Sequence, residues 1–181
     1  MLSVLPLYAA FSARLDRLGD WLLPLLARFA FAATLLWYYW SSALTKLGDG
    51  PLGVLRPSAG AYAQIFPRQF EAAGYDTEAL TPLHDLVVLS GTLAEFALPA
   101  LIVLGAMTRV SALGMIGFVL IQSLTDVFGH GLGSASGAWF DRMPDGAVLD
   151  QRLLWTLLLA CLVFKGAGPL SLDALLRRRI N

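Results

Sequence analysis

Gln122, Asp126 and His130 are spaced by four residues, so on a helix they form one stripe. An amide, a carboxylate and an imidazole in a row can pass a proton or hold the polar head of a ligand. His84, Gly91 and Glu95 sit at i, i+7 and i+11, which returns to nearly the same helical face. Glu95 lies deep in an apolar run, where an ionised carboxylate costs a few kcal/mol and marks a proton relay, a ligand contact or a cross-helix hydrogen bond. The chain has only two histidines, His84 and His130. With Asp85 and Asp126 beside them they are candidate ligands of a divalent metal, and less readily of a haem. The cluster Trp37, Tyr38, Tyr39, Trp40 ends in reach of Lys46, offering rings to a flat ligand and a cation to its head.

These residues need long apolar elements to carry them. Of 181 residues, 57% are hydrophobic and only 14% are charged, with a mean hydropathy of +0.66. A soluble domain carries about a quarter charged residues, so the composition points to a single polytopic membrane domain over 1–181. Apolar runs predict four spans at about 21–46, 82–107, 110–128 and 149–166. Each is about long enough for the ~30 Å hydrocarbon core at roughly 1.5 Å per residue. The expected fold is all-α, an integral membrane four-helix bundle. A long external loop joins helices 1 and 2, and short amphipathic segments lie at both termini.

Residues 1–20 read as a short interfacial helix before the first span, with Pro24 in that span's first turn and Arg28 snorkelling to the interface. Arg14 and Arg17 precede an apolar run too long for a signal peptide, which suggests an uncleaved anchor. Residues 47–82 contain two candidate short helices, 59–66 and 68–73, in a connection long enough to form a cap. A second glycine-rich loop covers 129–148, and 168–181 form an amphipathic tail.

Four spans place both termini on one side. That side holds Arg14, Arg17, Arg28, Arg109, Lys165 and Arg177–Arg179 against Asp16, Asp20 and Asp173. By the positive-inside rule both termini are cytoplasmic and both long loops external. Lys46, His84, Asp85, Asp126, His130, Asp150 and Arg152 then converge at the outer end, above Gln122 and Glu95, as a polar funnel.

Other chemistries are excluded. One cysteine, Cys161, cannot form an intrachain disulfide or a thiolate metal cluster. There is no Walker loop, no dinucleotide glycine pattern and no extended basic patch for nucleic acid.

Three stretches resemble the DoxX family of small four-helix bacterial membrane proteins, DoxD-like subunits included. They are SSALTKLGD (41–49), AEFALPALIVLGAMTRVSALGMIGF (94–118) and KGAGPLSLDALL (165–176). The resemblance implies a bacterial inner-membrane protein, in some members a membrane subunit of thiosulfate:quinone oxidoreductase and in others a companion of metal or oxidative-stress handling proteins. Both long loops here exceed those of minimal members.

The resulting expectation is a membrane redox subunit that binds a quinone-like amphiphile. Glu95, Asp126 and His130 would move protons, and His84, Gln122, Trp37, Tyr38 and Lys46 would line the ligand. A colourless accessory protein serving a protein partner is the alternative. Lipid contact is expected in either case, and the small residues Ser111, Ala112, Gly114 and Gly117 permit close helix contact within the chain or between copies.

Overall fold

A computed structural model describes residues 4–50, 52–132 and 148–180. Most of those residues are helical, with no strand among them. The first element, α1, is one continuous helix made of Val4–Phe31, a π-helical turn Ala32–Leu36 and Trp37–Thr45. The sequence led us to expect a break near residue 20. Instead Gly19 and Pro24 both lie inside the helix, and Pro24 is buried against the backbone of Gly168. The apolar stretch Leu5–Thr45 is 41 residues, about 60 Å at 1.5 Å per residue. That exceeds the whole bilayer, so the N-terminal part of α1 runs beyond the spanning part.

Two short helices follow, α2 (Ala59–Ile65) and α3 (Pro67–Ala72). Gly48 and Gly53 fold the chain into them. Their backbones approach so closely that a Cβ on Gly48 would stand 2.0 Å from the Arg56 carbonyl oxygen. Tyr62 and Phe70 of this cap pack with Ala61 against Val88.

Val88 belongs to α4 (Pro82–Leu104), which is joined by a three-residue turn to α5 (Thr108–Leu124). A second π-helical turn, Thr125–Gly129, extends α5. Gly105 (φ +69°) and Met107 (φ +47°) make the reversal between them. A side chain on Gly105 would collide with Ser171 and Arg28, so only glycine fits there. After α6 (Val148–Lys165) comes the short α7 (Leu172–Ile180). The expected glycine-rich loop falls mostly on 133–147, outside the described residues.

Helices α1, α4, α5 and α6 close a ring in that order, each against two neighbours. Their shared core is Phe31, Leu35 and Tyr39 from α1, Ile102 from α4, Ala112, Met115 and Val119 from α5, and Leu159 and Leu162 from α6. In lipid such a core is held by close packing rather than by exclusion of water. Ser111 and Ala112 are buried inside the chain, and Gly114 lets Leu98 approach, while Gly117 faces open space. Three of the helices, those covering Leu5–Thr45, Pro82–Leu104 and Thr108–Gly129, are long and apolar enough to cross a membrane. The fourth, α6, carries Asp150, Arg152 and Lys165.

Candidate functional site

One turn of α1 and the middle of α4 meet in a buried ion pair. Lys46 Nζ donates to Glu95 Oε2 at 2.8 Å and to Oε1 at 3.1 Å, with both side chains about 5% exposed. Ser42 completes the set: its hydroxyl accepts from Lys46 at 2.7 Å and donates to Glu95 at 3.2 Å. The ammonium also reaches the Ser42 carbonyl oxygen. Ser42 and Lys46 lie four residues apart, on one face of the helix end, so a single turn supplies both partners of the carboxylate. Lys46, expected to offer its cation to a ligand, is thus turned inward to Glu95.

A second pair forms across α5 and α6. The Arg152 guanidinium donates to Asp126 Oδ2 through Nη2 and to the Ser123 hydroxyl through Nη1, the latter at 3.3 Å. Its Nε is buried with no partner among the described residues. Asp126 is therefore an ion-pair partner of α6 and does not meet His130. The π turn at Thr125–Gly129 explains the separation, because its wider turn rotates the stripe that Gln122, Asp126 and His130 would form on a plain α-helix.

Between the two pairs lie Tyr39 and Gln122. Tyr39 is fully buried and within the field of both Glu95 and Arg152. Its hydroxyl points at Gln122 Oε1 at 3.5 Å, and Gln122 Nε2 donates to the Tyr38 hydroxyl at 3.1 Å. Tyr38 is 41% exposed and Trp37 67% exposed on the outer surface of the ring, so this short relay reaches from the core to the side wall. Trp155 of α6 packs edge-on against Tyr38 and Tyr39, with centroids 5.2 and 6.2 Å away. Trp40 donates to the Phe96 carbonyl oxygen. Both π turns border this layer, one just before Trp37 and the other at Asp126.

Sequence reasoning missed Ser42, Ser123 and Trp155 as members of this layer, and named Arg152 and Tyr39 without the partners they have here. The available signal was Arg152 standing at the same depth as Asp126, and Lys46 on the side above Glu95. Opposite charges at equal depth on different helices are candidates for pairing before they are candidates for a funnel.

The histidines stand elsewhere and apart in their contacts. His84 Nδ1 pairs with the Thr81 hydroxyl at 2.8 Å and accepts from the Thr81 backbone N–H, closing a capping box at the start of α4. Its ring lies edge-on to Phe66. His130 Nε2 contacts the Gln64 carbonyl oxygen at 3.0 Å. Each imidazole thus ties a spanning helix to the cap. Among the described residues no group of three or more His, Cys, Asp or Glu side chains could hold a metal.

Beside the cap, a groove of about 440 Å³ is lined by Arg56, Tyr62, Glu78, Asp85 and apolar neighbours. Its Tyr62 hydroxyl donates to Asp85 at 2.7 Å. Burial, then the Asp85 carboxylate, pushes that phenol up to about 12. Glu95 and Asp126 do not line this groove.

Comparison with family models, curated proteins and solved structures finds no match to this chain.

Proposed function

We propose that the chain is a four-span protein of the bacterial inner membrane, both termini cytoplasmic, that binds a quinone-like amphiphile at the Trp37–Tyr38 wall and serves as a membrane redox subunit. Reading α6 as the fourth span is supported by its place in the ring and by its charge-free run, residues 153–164, in which Thr156 returns its hydroxyl to the Arg152 carbonyl. Arg152 is neutralised by Asp126. Asp150 and Lys165 stand at the two ends of α6. The cation excess at the turn and tail end supports the orientation.

The observation that carries the ligand reading is the Tyr38–Gln122–Tyr39 relay. It starts at a half-exposed phenol facing the lipid and ends between two buried ion pairs. A quinone arrives from the bilayer, not from water, so an outward-facing hydroxyl and aromatic wall suit it better than a funnel open to the outside. Its reduction takes two electrons and two protons. The relay residues would hand protons to the carbonyl oxygens, and a partner subunit would deliver the electrons, since this chain's side chains include no redox centre. The DoxX resemblance agrees with that division of labour.

The accessory-protein reading has one observation in its favour: both buried carboxylates are already satisfied by cations. One experiment separates the two. Full-length protein in lipid nanodiscs is titrated with a short-chain benzoquinone while tryptophan fluorescence is followed, and a lipid extract is analysed by mass. The redox reading expects saturable quenching near one quinone per chain, weakened about tenfold in Gln122→Leu, in line with loss of a hydrogen bond worth roughly 1.4 kcal/mol. Quenching that never saturates, or that Gln122→Leu leaves unchanged, hands the site to the accessory reading.

A further inference from the structure

The opposite end of the molecule holds a second groove, of about 420 Å³, where α1, the 166–171 turn and α7 meet. Its walls are Arg17, Asp20 and Trp21 of α1, Lys165 at the end of α6, and Arg177 of α7. Lys165 pairs with Asp20, and that pair stays largely exposed. Arg17 and Arg177 make no ion pair with any described residue, and Arg177 lies in the field of Asp173. The guanidinium of Arg109 adds a third positive group near the rim: both Arg109 and Arg177 come within 4.0 Å of where a Cβ on Gly166 would stand. The groove is therefore cationic beyond what its own carboxylates cancel.

Its floor is held rigid. Arg28 donates to the carbonyls of Ala167 and Leu170, fixing the turn from beneath. Ser171 Oγ donates to the Gly168 carbonyl and accepts from the Ala174 N–H, so α7 leaves the turn in a fixed direction. That direction sets Arg177, on the second turn of α7, over the groove. Trp21 is half exposed at the same level, as an interfacial indole would be.

We infer that this groove binds the phosphodiester head group of an anionic membrane lipid. Three features select a lipid over a free anion. The groove lies level with the ends of the spanning helices, where head groups are. The apolar side chains Leu18, Leu23, Leu170 and Leu172 near it are exposed, offering a bed for acyl chains. The cations come from three elements around a concave wall, as basic pockets between spanning helices do when they hold acidic lipids. The inference needs only that the chain is embedded in a membrane, and stands independently of the quinone reading.

The test is native mass spectrometry of the full-length protein titrated with phosphatidylglycerol or phosphatidylcholine. One phosphatidylglycerol should be retained in preference to phosphatidylcholine. Each groove cation removed should weaken it roughly fivefold, so Arg17→Gln with Arg177→Gln should cost about twenty-five-fold. Arg178→Gln with Arg179→Gln, which keeps the groove, should stay within about twofold. Equal retention of the two lipids overturns the inference. So does an equal loss in both double variants, which would mean diffuse surface charge. Displacement of the lipid by millimolar inorganic phosphate would mean a free-anion site and also overturns it. Should the groove variant fail to fold, acyl-brominated phosphatidylglycerol in nanodiscs decides. It should quench the wild-type protein more than Trp21→Phe, and equal quenching sinks the idea.

Discussion

The two ends of the helix ring solve opposite problems with the same residue types. At the cap end, charges on different helices neutralise each other side chain to side chain: Lys46 with Glu95, Arg152 with Asp126. At the tail end, beside the exposed Lys165–Asp20 pair, two charged side chains are spent on backbone. Arg28 donates to four carbonyls, those of Ile102, Val103, Ala167 and Leu170. Asp173 accepts from the N–H groups of Met107 and Thr108 at 2.8 and 3.0 Å, capping the start of α5. Helix ends leave unpaired N–H and C=O groups, and both contacts satisfy them while following the helix dipoles. The tail end thus needs Arg28 and Asp173 to finish the fold. The cap end does not need its pairs: an apolar pair of similar volume would pack as well, because desolvating two ions consumes most of what their attraction returns. Charges that the fold does not require are the ones most open to a functional reading, which is why the relay beside them was chosen above.

That asymmetry is broken or sharpened first at Glu95. Glu95→Leu alone leaves the Lys46 ammonium buried and unpaired, and should destabilise the protein by about 3–5 kcal/mol. Lys46→Met with Glu95→Leu should recover most of that loss. Thermal unfolding of the two variants in one detergent checks it. A double variant as unstable as the single would show that the pair is structural, and would erase the contrast between the two ends.

Much of this arrangement was legible in the sequence, and the parts that were not share a cause. Apolar run lengths located α4, α5 and α6 to within a few residues, because a helix in lipid must satisfy its own backbone and its length is set by the bilayer. The short cap helices followed from the glycines and prolines bounding them. The start of α1 did not, because Gly19 and Pro24 are ordinary breakers whose cost is outweighed here by packing of Pro24 on Gly168. The polar residues were identified but mis-partnered. Glu95, Asp126, Lys46 and Gln122 do lie in one layer, yet Asp126 turns to Arg152 and His130 to Gln64. A period of four cannot reveal a π turn, and one inserted turn redirects every side chain after it. Arg28 was legible as an interfacial cation, and its four carbonyl partners on two other segments were not, since they exist only after the chain closes.

At the tail end the larger effect belongs to Arg28. Arg28→Met keeps the apolar stem and removes every donor, leaving the last carbonyls of α4 and the 166–171 turn without their partner. Hydrogen bonds to a charged donor are worth about 1.5–3 kcal/mol each where buried, and this group is only partly buried and has four shared contacts. A loss of about 2–3 kcal/mol is expected, with faster backbone amide exchange in 166–174 and unchanged exchange around Glu95. Exchange rising equally at both ends would mean that the two ends do not act separately.

The smallest effect is at Asp173, and its sign with pH is fixed. Burial alone would raise this carboxyl, but the Thr108 and Met107 N–H groups and the Arg177 charge outweigh it, leaving the acid below its ordinary 3.8. A carboxyl lowered by folding stabilises the folded state above its unfolded value and stops doing so as pH falls through the folded value. Asp173→Asn can still accept one of the two N–H bonds but carries no charge, so it imitates the protonated acid. At neutral pH it should be less stable than the wild type by about 0.5 kcal/mol, the scale of an exposed helix-end charge. The gap should begin to close as pH drops below about 4, the unfolded value, and be gone once pH has fallen through the lower folded value, where the wild-type carboxyl takes up its proton. Melting temperatures of the two proteins, measured side by side from neutral pH downward, should converge. A constant gap across that range would mean that this helix cap acts through shape and not charge, which would place Asp173 beside Ser171 as a turn-former and leave Arg28 as the charge that the fold requires at the tail end.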